Sequence, residues 1–157
     1  NELDDSWLVR PDDPIFGHEH PVYLEITESV PPTHFRFCHG MLREVRARGA
    51  CLAVDDLGAG YSNLKYIADL NPEVVKLDRD LVAGLRGGSR LHKLVVSIVR
   101  LCNEMGASVV AEGIETYDEF AAARDAGAQF GQGYYFARPA TPKPSYDWKA
   151  LSNPPPK

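Results

Sequence analysis

The chain has 157 residues, 44% of them apolar and 25% charged, with a formal net charge of −5. That is enough for one domain with a buried core, and the acidic balance excludes a surface built to coat a nucleic-acid polymer. No stretch approaches the ~20 apolar residues of a membrane span, no secretory leader is visible, and three widely spaced cysteines (Cys38, Cys51, Cys102) give neither a disulfide framework nor a zinc motif, so a reducing cytoplasm is expected.

Residues 1–21 hold Pro11, Pro14 and Pro21 among many acids and read as a connector in which only Trp7–Val9 is expected to be buried. Its His18-x-His20 pair sits in a polar stretch and is read as solvated. Val22–Glu28 is predicted as a strand. Pro31 and Pro32 block a helix there, and Thr33 can cap one running to Arg48, with Phe35, Cys38, Met41, Leu42 and Val45 at helical spacing. Gly49 closes it, and Cys51–Asp56 is the next strand. A short helix around Leu64, Ile67 and Ala68 stops at Pro72, and Glu73–Asp78 is a third strand. Ser89 caps a helix whose apolar stripe is Leu91, Leu94, Val95, Ile98, Leu101, Cys102 and Met105; Gly106 ends it. Cys38 and Cys102 are read as small buried hydrophobes. Ala107–Glu112 is a fourth strand, Thr116 and Glu119 form a capping box for a helix ending at Gly127, and Gln129–Phe136 is a fifth strand. Beyond Pro139 the chain reads as a Pro-rich tail with a possible turn at Trp148–Leu151.

Strands alternating with helices predict an α/β fold with right-handed crossovers and a parallel sheet. Val74-Val75 and Val109-Val110 are apolar without alternation, as expected when both faces are covered. The acids then fall together. Glu25 and Glu28, Asp55 and Asp56, Asp78, and Glu112 and Glu115 all lie at or just after the end of a predicted strand. Ligands bind at that end in α/β folds. Lys76 lies two residues before Asp78, so both are expected on one side of the strand. A single acid after a strand is usually a helix cap. Seven acids converging on one lysine would raise one another's pKa unless compensated. Carboxylate oxygens without a cysteine or histidine set favour hard cations, Mg²⁺ or Mn²⁺, and two such ions would suit in-line attack on a phosphodiester. The stretch Ala53–Tyr61, A-V-D-D-L-G-A-G-Y, is the centre of this arrangement, with Gly58 and Gly60 in the loop after the acids.

Five segments in order, Leu24–Ser29 (L-E-I-T-E-S), Val54–Ser62 (V-D-D-L-G-A-G-Y-S), Val75–Asp78 (V-K-L-D), Val110–Thr116 (V-A-E-G-I-E-T) and Gln132–Pro139 (Q-G-Y-Y-F-A-R-P), resemble the motifs of the EAL-domain cyclic di-GMP phosphodiesterases. The resemblance covers roughly residues 22–140. It implies a TIM-like (β/α) barrel that hydrolyses cyclic di-GMP to linear pGpG with two divalent metals in bacterial second-messenger signalling. It further implies that Glu25, Asp55, Asp56 and Glu112 are metal ligands, with Asp55 shared between the metals. By the same resemblance, Lys76 holds the nucleophilic water and Glu112 assists its activation. Glu28 would organise the loop Leu57–Tyr61, and Asp78, Glu115 and Gln132 would support metal and substrate.

Two departures from the family accompany this. The loop reads D-D-L-G-A-G where the family usually has D-D-F-G-T-G, which would alter loop ordering and dimer coupling. The name-giving Glu-Ala-Leu strand and a metal-binding Asn are absent. The chain is therefore expected to be an incomplete barrel of about five βα units, lacking on the order of 70–90 residues of a barrel of about 250. Residues 1–21 would be a connector, 22–140 the partial domain and 141–157 the tail. Alone, the chain is expected to hydrolyse weakly or not at all. A homodimer and an upstream sensor or GGDEF-type domain are implied partners. The alternative function is a non-catalytic receptor for cyclic di-GMP or a protein, and a third is another metal-dependent α/β hydrolase sharing only the fold.

Overall fold

A computed structural model describes residues 19–27, 42–60 and 64–142, together with Gly17, Gly40 and Pro144. The expected features on other residues (the Trp7–Val9 burial, His18, the Thr33 cap, Phe35, Cys38, Met41, Glu28, Tyr61, the Trp148–Leu151 turn) lie outside the described residues.

Among the described residues, five strands form one parallel sheet in sequential order: β1 (Tyr23–Thr27), β2 (Cys51–Leu57), β3 (Val74–Leu77), β4 (Ser108–Ala111) and β5 (Phe130–Gly131). Every neighbouring pair is parallel. The helices between them are α1 (described over residues 42–47), α2 (Lys65–Leu70), α3 (Arg79–Val82), α4 (Arg90–Glu104) and α5 (Tyr117–Asp125). Among the described residues no helix is long and apolar enough to cross a membrane.

The core lies between sheet and helices. Val75 and Leu77 of β3 and Val109 and Ala111 of β4 are fully buried and meet Val95, Val99 and Cys102 of α4 and Ala122 and Ala123 of α5 in one cluster. The intervening residues, Val74, Lys76, Ser108 and Val110, are only half-buried. Burial in β3 and β4 thus alternates, contrary to the expectation that both faces are covered. The half-buried face is the one on which the lysine stands.

Several predicted elements are redrawn. Gly49 ends α1 at φ +87, as its position suggests, with Gly49 N–H donating to the Arg46 carbonyl. Helix α2 stops one residue before Pro72, at Asn71 in the left-handed region (φ 45), and its Leu64 and Ala68 are exposed while Ile67 and Leu70 are buried. Ser89 caps α4 by accepting from the His92 N–H at 3.0 Å. The buried stripe of α4 is turned from the expected one: His92, Val95, Val99 and Cys102 are inside, whereas Leu94 (50% exposed) and Met105 (37%) face outward. Inside, the His92 Nδ1 accepts from Gly88 N–H, and its Nε2 lies 3.2 Å from Asp125 without a hydrogen bond to it.

The fifth strand is the largest correction. It spans two residues, not Gln129–Phe136. After Gly131 the backbone leaves the ladder to clasp the β4–α5 loop: Ile114 N–H donates to the Gln132 carbonyl at 3.0 Å, and Tyr135 N–H to the Ile114 carbonyl at 2.9 Å. Gly133 permits this at φ +155, where a Cβ would stand 2.1 Å from the Ile114 oxygen. Tyr117, Phe120, Tyr135 and Phe136 then pack ring against ring over the junction.

Candidate active site

The site is built on β3. Lys76 lies 2.8 Å from Asp55 Oδ1, 3.0 Å from Glu25 Oε1 and 3.0 Å from Glu112 Oε1. Its side chain is 15% exposed, as is that of Asp55, and Glu112 is at 17%, while Glu25 is half open at 51%. One ammonium thus bridges acids from three strand ends. A lysine this enclosed is stable only as a paired ion, and three carboxylates supply that pairing.

Parallel register explains four of the five positions. Thr27 pairs Asp55 and Glu25 pairs Ala53, so Glu25 and Asp55 share a face. Lys76 pairs Val110, two residues before Glu112, so these share it too. Asp56 should then point away, yet it does not. The β2–β3 pairing runs Val54↔Val75 and resumes at Leu57↔Leu77, so Asp55 and Asp56 together oppose Lys76 in a bulge. Asp56 takes φ 58 to make it, a backbone conformation that Asp tolerates better than most residues. The result is that one oxygen from each of Asp55, Asp56 and Glu112 lies within 4.8 Å of the others.

Burial dominates the ionisation. It raises the pKa of Glu112, a rise the Lys76 hydrogen bond and charge oppose. It raises Asp56 too, reinforced by Asp55 and Asp78. For Lys76 burial works against the charge, but the hydrogen bonds it donates to Asp55, Glu112 and Glu25 outweigh it and hold the ammonium well above the ordinary lysine range. The three carboxylates around Lys76 thus favour its charged form.

The other predicted residues sit differently. Asp78 does not join Lys76: its Oδ1 accepts from the Asp80 N–H at 2.8 Å and caps α3, a helical turn that the sequence reading did not place. Glu115 is engaged by Arg79 at the surface. Gln132 is exposed, and its backbone N–H donates to the Ala111 carbonyl. Gly58 (φ +111) and Gly60 (φ +132) turn the loop after the acids. Glu119, expected only as a cap, is 7% exposed and accepts from three backbone N–H groups: Glu115 at 2.9 Å, Thr116 at 3.0 Å and Gly84 at 2.8 Å. The T-x-x-E spacing announces the first turn of α5, but nothing in it announces Gly84.

Residues 16–139 match the EAL domain family. The chain belongs to the EAL domain family. Within that family, the cyclic di-GMP phosphodiesterase PA2567 of Pseudomonas aeruginosa is 38% identical over 125 residues, 80% of this chain and 21% of that protein. BlrP1 of Klebsiella pneumoniae, solved with manganese and cyclic di-GMP, superposes with a TM-score of 0.69 at 37% identity over 75% of this chain and 30% of that one. YkuI of Bacillus subtilis, solved with its substrate cyclic di-GMP and calcium, gives 0.70 at 30% identity over 83% and 32%. The chain thus spans a fifth to a third of the length of these relatives. The sheet and its helices form part of an EAL-type, TIM-like (β/α) architecture, with Lys76 and its acids at the C-terminal ends of the strands, the functional end of such folds.

Proposed function

We propose that this EAL chain carries the reaction centre of a divalent-metal-dependent phosphodiesterase that hydrolyses cyclic di-GMP to linear pGpG. The observation that carries this is the convergence of Asp55, Asp56 and Glu112 within 4.8 Å beside an ammonium that is itself held by Glu25, Asp55 and Glu112. An all-carboxylate donor set fits a hard cation, and we take Mg²⁺ or Mn²⁺ as the working ion. Asp55, Asp56 and Glu112, with Glu25 at the open edge, would hold it. When bound, such ions neutralise charge on phosphoryl oxygens and acidify the attacking water.

The chain's own residues do the rest. Lys76 keeps its proton, so it presents a permanent positive charge and N–H donors where a phosphodiester gains negative charge. Glu25, Asp55 and Glu112 fix the direction of that ammonium and stop it from swinging into solvent. Glu112 and Asp56, whose pKa values are raised, accept protons more readily than ordinary carboxylates. Of these two, Glu112 is the one bonded to Lys76, and we assign it the proton-accepting role beside the ammonium. Glu28 and Gln132 stay as supporting residues in this scheme. We also take the cytoplasm as the place of action and a second copy of the chain as a partner, which the D-D-L-G-A-G loop would serve.

The test is release of pGpG from cyclic di-GMP by the full-length protein with Mn²⁺ or Mg²⁺. Glu25→Ala and Asp55→Ala are each expected to lower turnover by about 100-fold or more. Near-wild-type turnover in Asp55→Ala would refute the site. Binding without turnover in the wild type would make the protein a receptor instead.

A further inference from the structure

The one-turn helix α3 lies between the two loops that follow the acids. On one side Leu81 occupies the space beside Gly58, where a Cβ would come within 2.6 Å of its Cγ and Cδ1. On the other side the stem of Arg79 covers Gly113, where a Cβ would stand 2.9 Å from the Arg79 Cβ and Cγ. The Arg79 guanidinium pairs with Glu115, and its Nη1 donates to the Gly113 carbonyl at 3.4 Å. Gly113 and Glu115 flank Ile114 directly after Glu112, and Ile114 is held from the opposite side by Gln132 and Tyr135. The segment leaving Glu112 is therefore gripped between the chain that follows β5 and α3.

The Arg79–Glu115 pair is half-exposed, at 51% and 41%. Exposed pairs add little to global stability. What this one can do is local. Gly113 sits at φ +68 with no side chain of its own to fix it, so the direction of the chain after Glu112 depends on what lies over it. We propose that Arg79 is a positioning residue: by holding Gly113 and Glu115 it sets where the Glu112 carboxylate meets Lys76, Asp55 and Asp56. The kinetic consequence rests on the phosphodiesterase reading; the anchoring of the loop does not.

Arg79→Met keeps the stem over Gly113 and removes the charge, while Arg79→Lys keeps both. In Arg79→Met, amide exchange over residues 113–116 is expected to quicken by about tenfold. Mn²⁺ binding, followed by the resonance of the free ion, is expected to weaken by about tenfold. The kcat should fall by a similar factor with KM for cyclic di-GMP within about twofold of wild type. Arg79→Lys should restore most of each, and neither variant should shift Tm by more than ~2 °C. Wild-type exchange in Arg79→Met, or no recovery in Arg79→Lys, overturns the assignment. If the exchange effect is present while the wild type hydrolyses no cyclic di-GMP, Arg79 anchors the loop as stated and the phosphodiesterase reading falls alone.

Discussion

Lys76 is the residue on which the rim depends. Without its ammonium, Glu25, Asp55 and Glu112 would face one another with nothing between them, and each would resist ionisation. We expect Lys76→Met, which keeps the stem and removes the charge, to lower turnover of cyclic di-GMP by about 100-fold or more. It should also reduce the stability of the cation-free protein at neutral pH, a loss that added Mn²⁺ partly reverses by taking over the charge compensation. Steady-state kinetics and urea unfolding with and without Mn²⁺ check this, and a variant with wild-type kcat would remove Lys76 from the mechanism. That Lys76, Glu25, Asp55 and Glu112 meet was legible in the sequence, because a βα repeat sends the ends of parallel strands to one rim and a lysine amid apolar residues needs partners. The bulge at Asp55–Asp56 was not legible: it needs a non-glycine residue at φ 58, and no residue pattern distinguishes that from a regular strand end. Asp78 shows a related limit, since it caps α3 while its charge still reaches Asp56. An acid after a strand looks the same whether it serves the rim or caps the next helix, and only the structure shows that the Asp78 carboxylate accepts from the Asp80 N–H.

Among the elements, the β4–α5 loop shows how a cap becomes a joint. Glu119 accepts from Glu115, Thr116 and Gly84, so one buried carboxylate joins the start of α5 to the turn after α3. Burial alone would raise its pKa, but these backbone donors outweigh it and hold it below the ordinary 4.5. A carboxylate depressed in the folded state contributes stability that is present above the unfolded pKa and lost as pH falls through the folded one. We expect Glu119→Gln to cost about 1–3 kcal/mol at pH 7, with the difference from wild type shrinking as pH falls below about 4.5. Urea midpoints across pH measure it, and a difference that is constant with pH would deny the carboxylate this role. The capping box and the start of α4 were readable because they rest on local hydrogen bonds between residues three apart. The length of β5 was not, since it is set by Ile114, eighteen or so positions away in sequence, which takes the Gln132 carbonyl and the Tyr135 N–H into bonds with the β4–α5 loop. The turned stripe of α4 has a mixed origin: Gly88, just before the helix, donates to His92 Nδ1, and Asp125 of α5 lies 3.2 Å from Nε2, so His92 is inside while Leu94 faces outward.

At the scale of the whole molecule, a divalent cation would act as a cross-link. Asp55 and Asp56 belong to β2 and Glu112 follows β4, so an ion held by all three ties the strands on either side of β3. Binding only to the folded chain, Mn²⁺ at a hundred times its Kd adds about 2.7 kcal/mol, which for a domain of this size is roughly 5–10 °C in Tm. The ion requires deprotonated carboxylates. Burial raises Glu112 and Asp56 above 4.5 and 3.8, their ordinary values, so protons compete with the ion at higher pH than for exposed acids. The sign of the apo contribution follows from the same shifts. A carboxyl whose folded pKa is raised favours folding below its unfolded value, and that contribution is lost as pH rises through the folded value. Acidification should therefore abolish the Mn²⁺ gain while relieving the cation-free protein, and the two melting curves should converge above the pH at which ordinary carboxylates titrate. Chelation at pH 7.5 should return Tm to the cation-free value, and Asp55→Asn should remove most of the Mn²⁺ shift without lowering the cation-free Tm by a comparable amount. Thermal unfolding of wild type and Asp55→Asn from pH 4 to 8, with Mn²⁺ or chelator, decides it: a Mn²⁺ shift that survives in Asp55→Asn, or that is flat with pH, means the ion binds elsewhere and the strands are not joined at this rim.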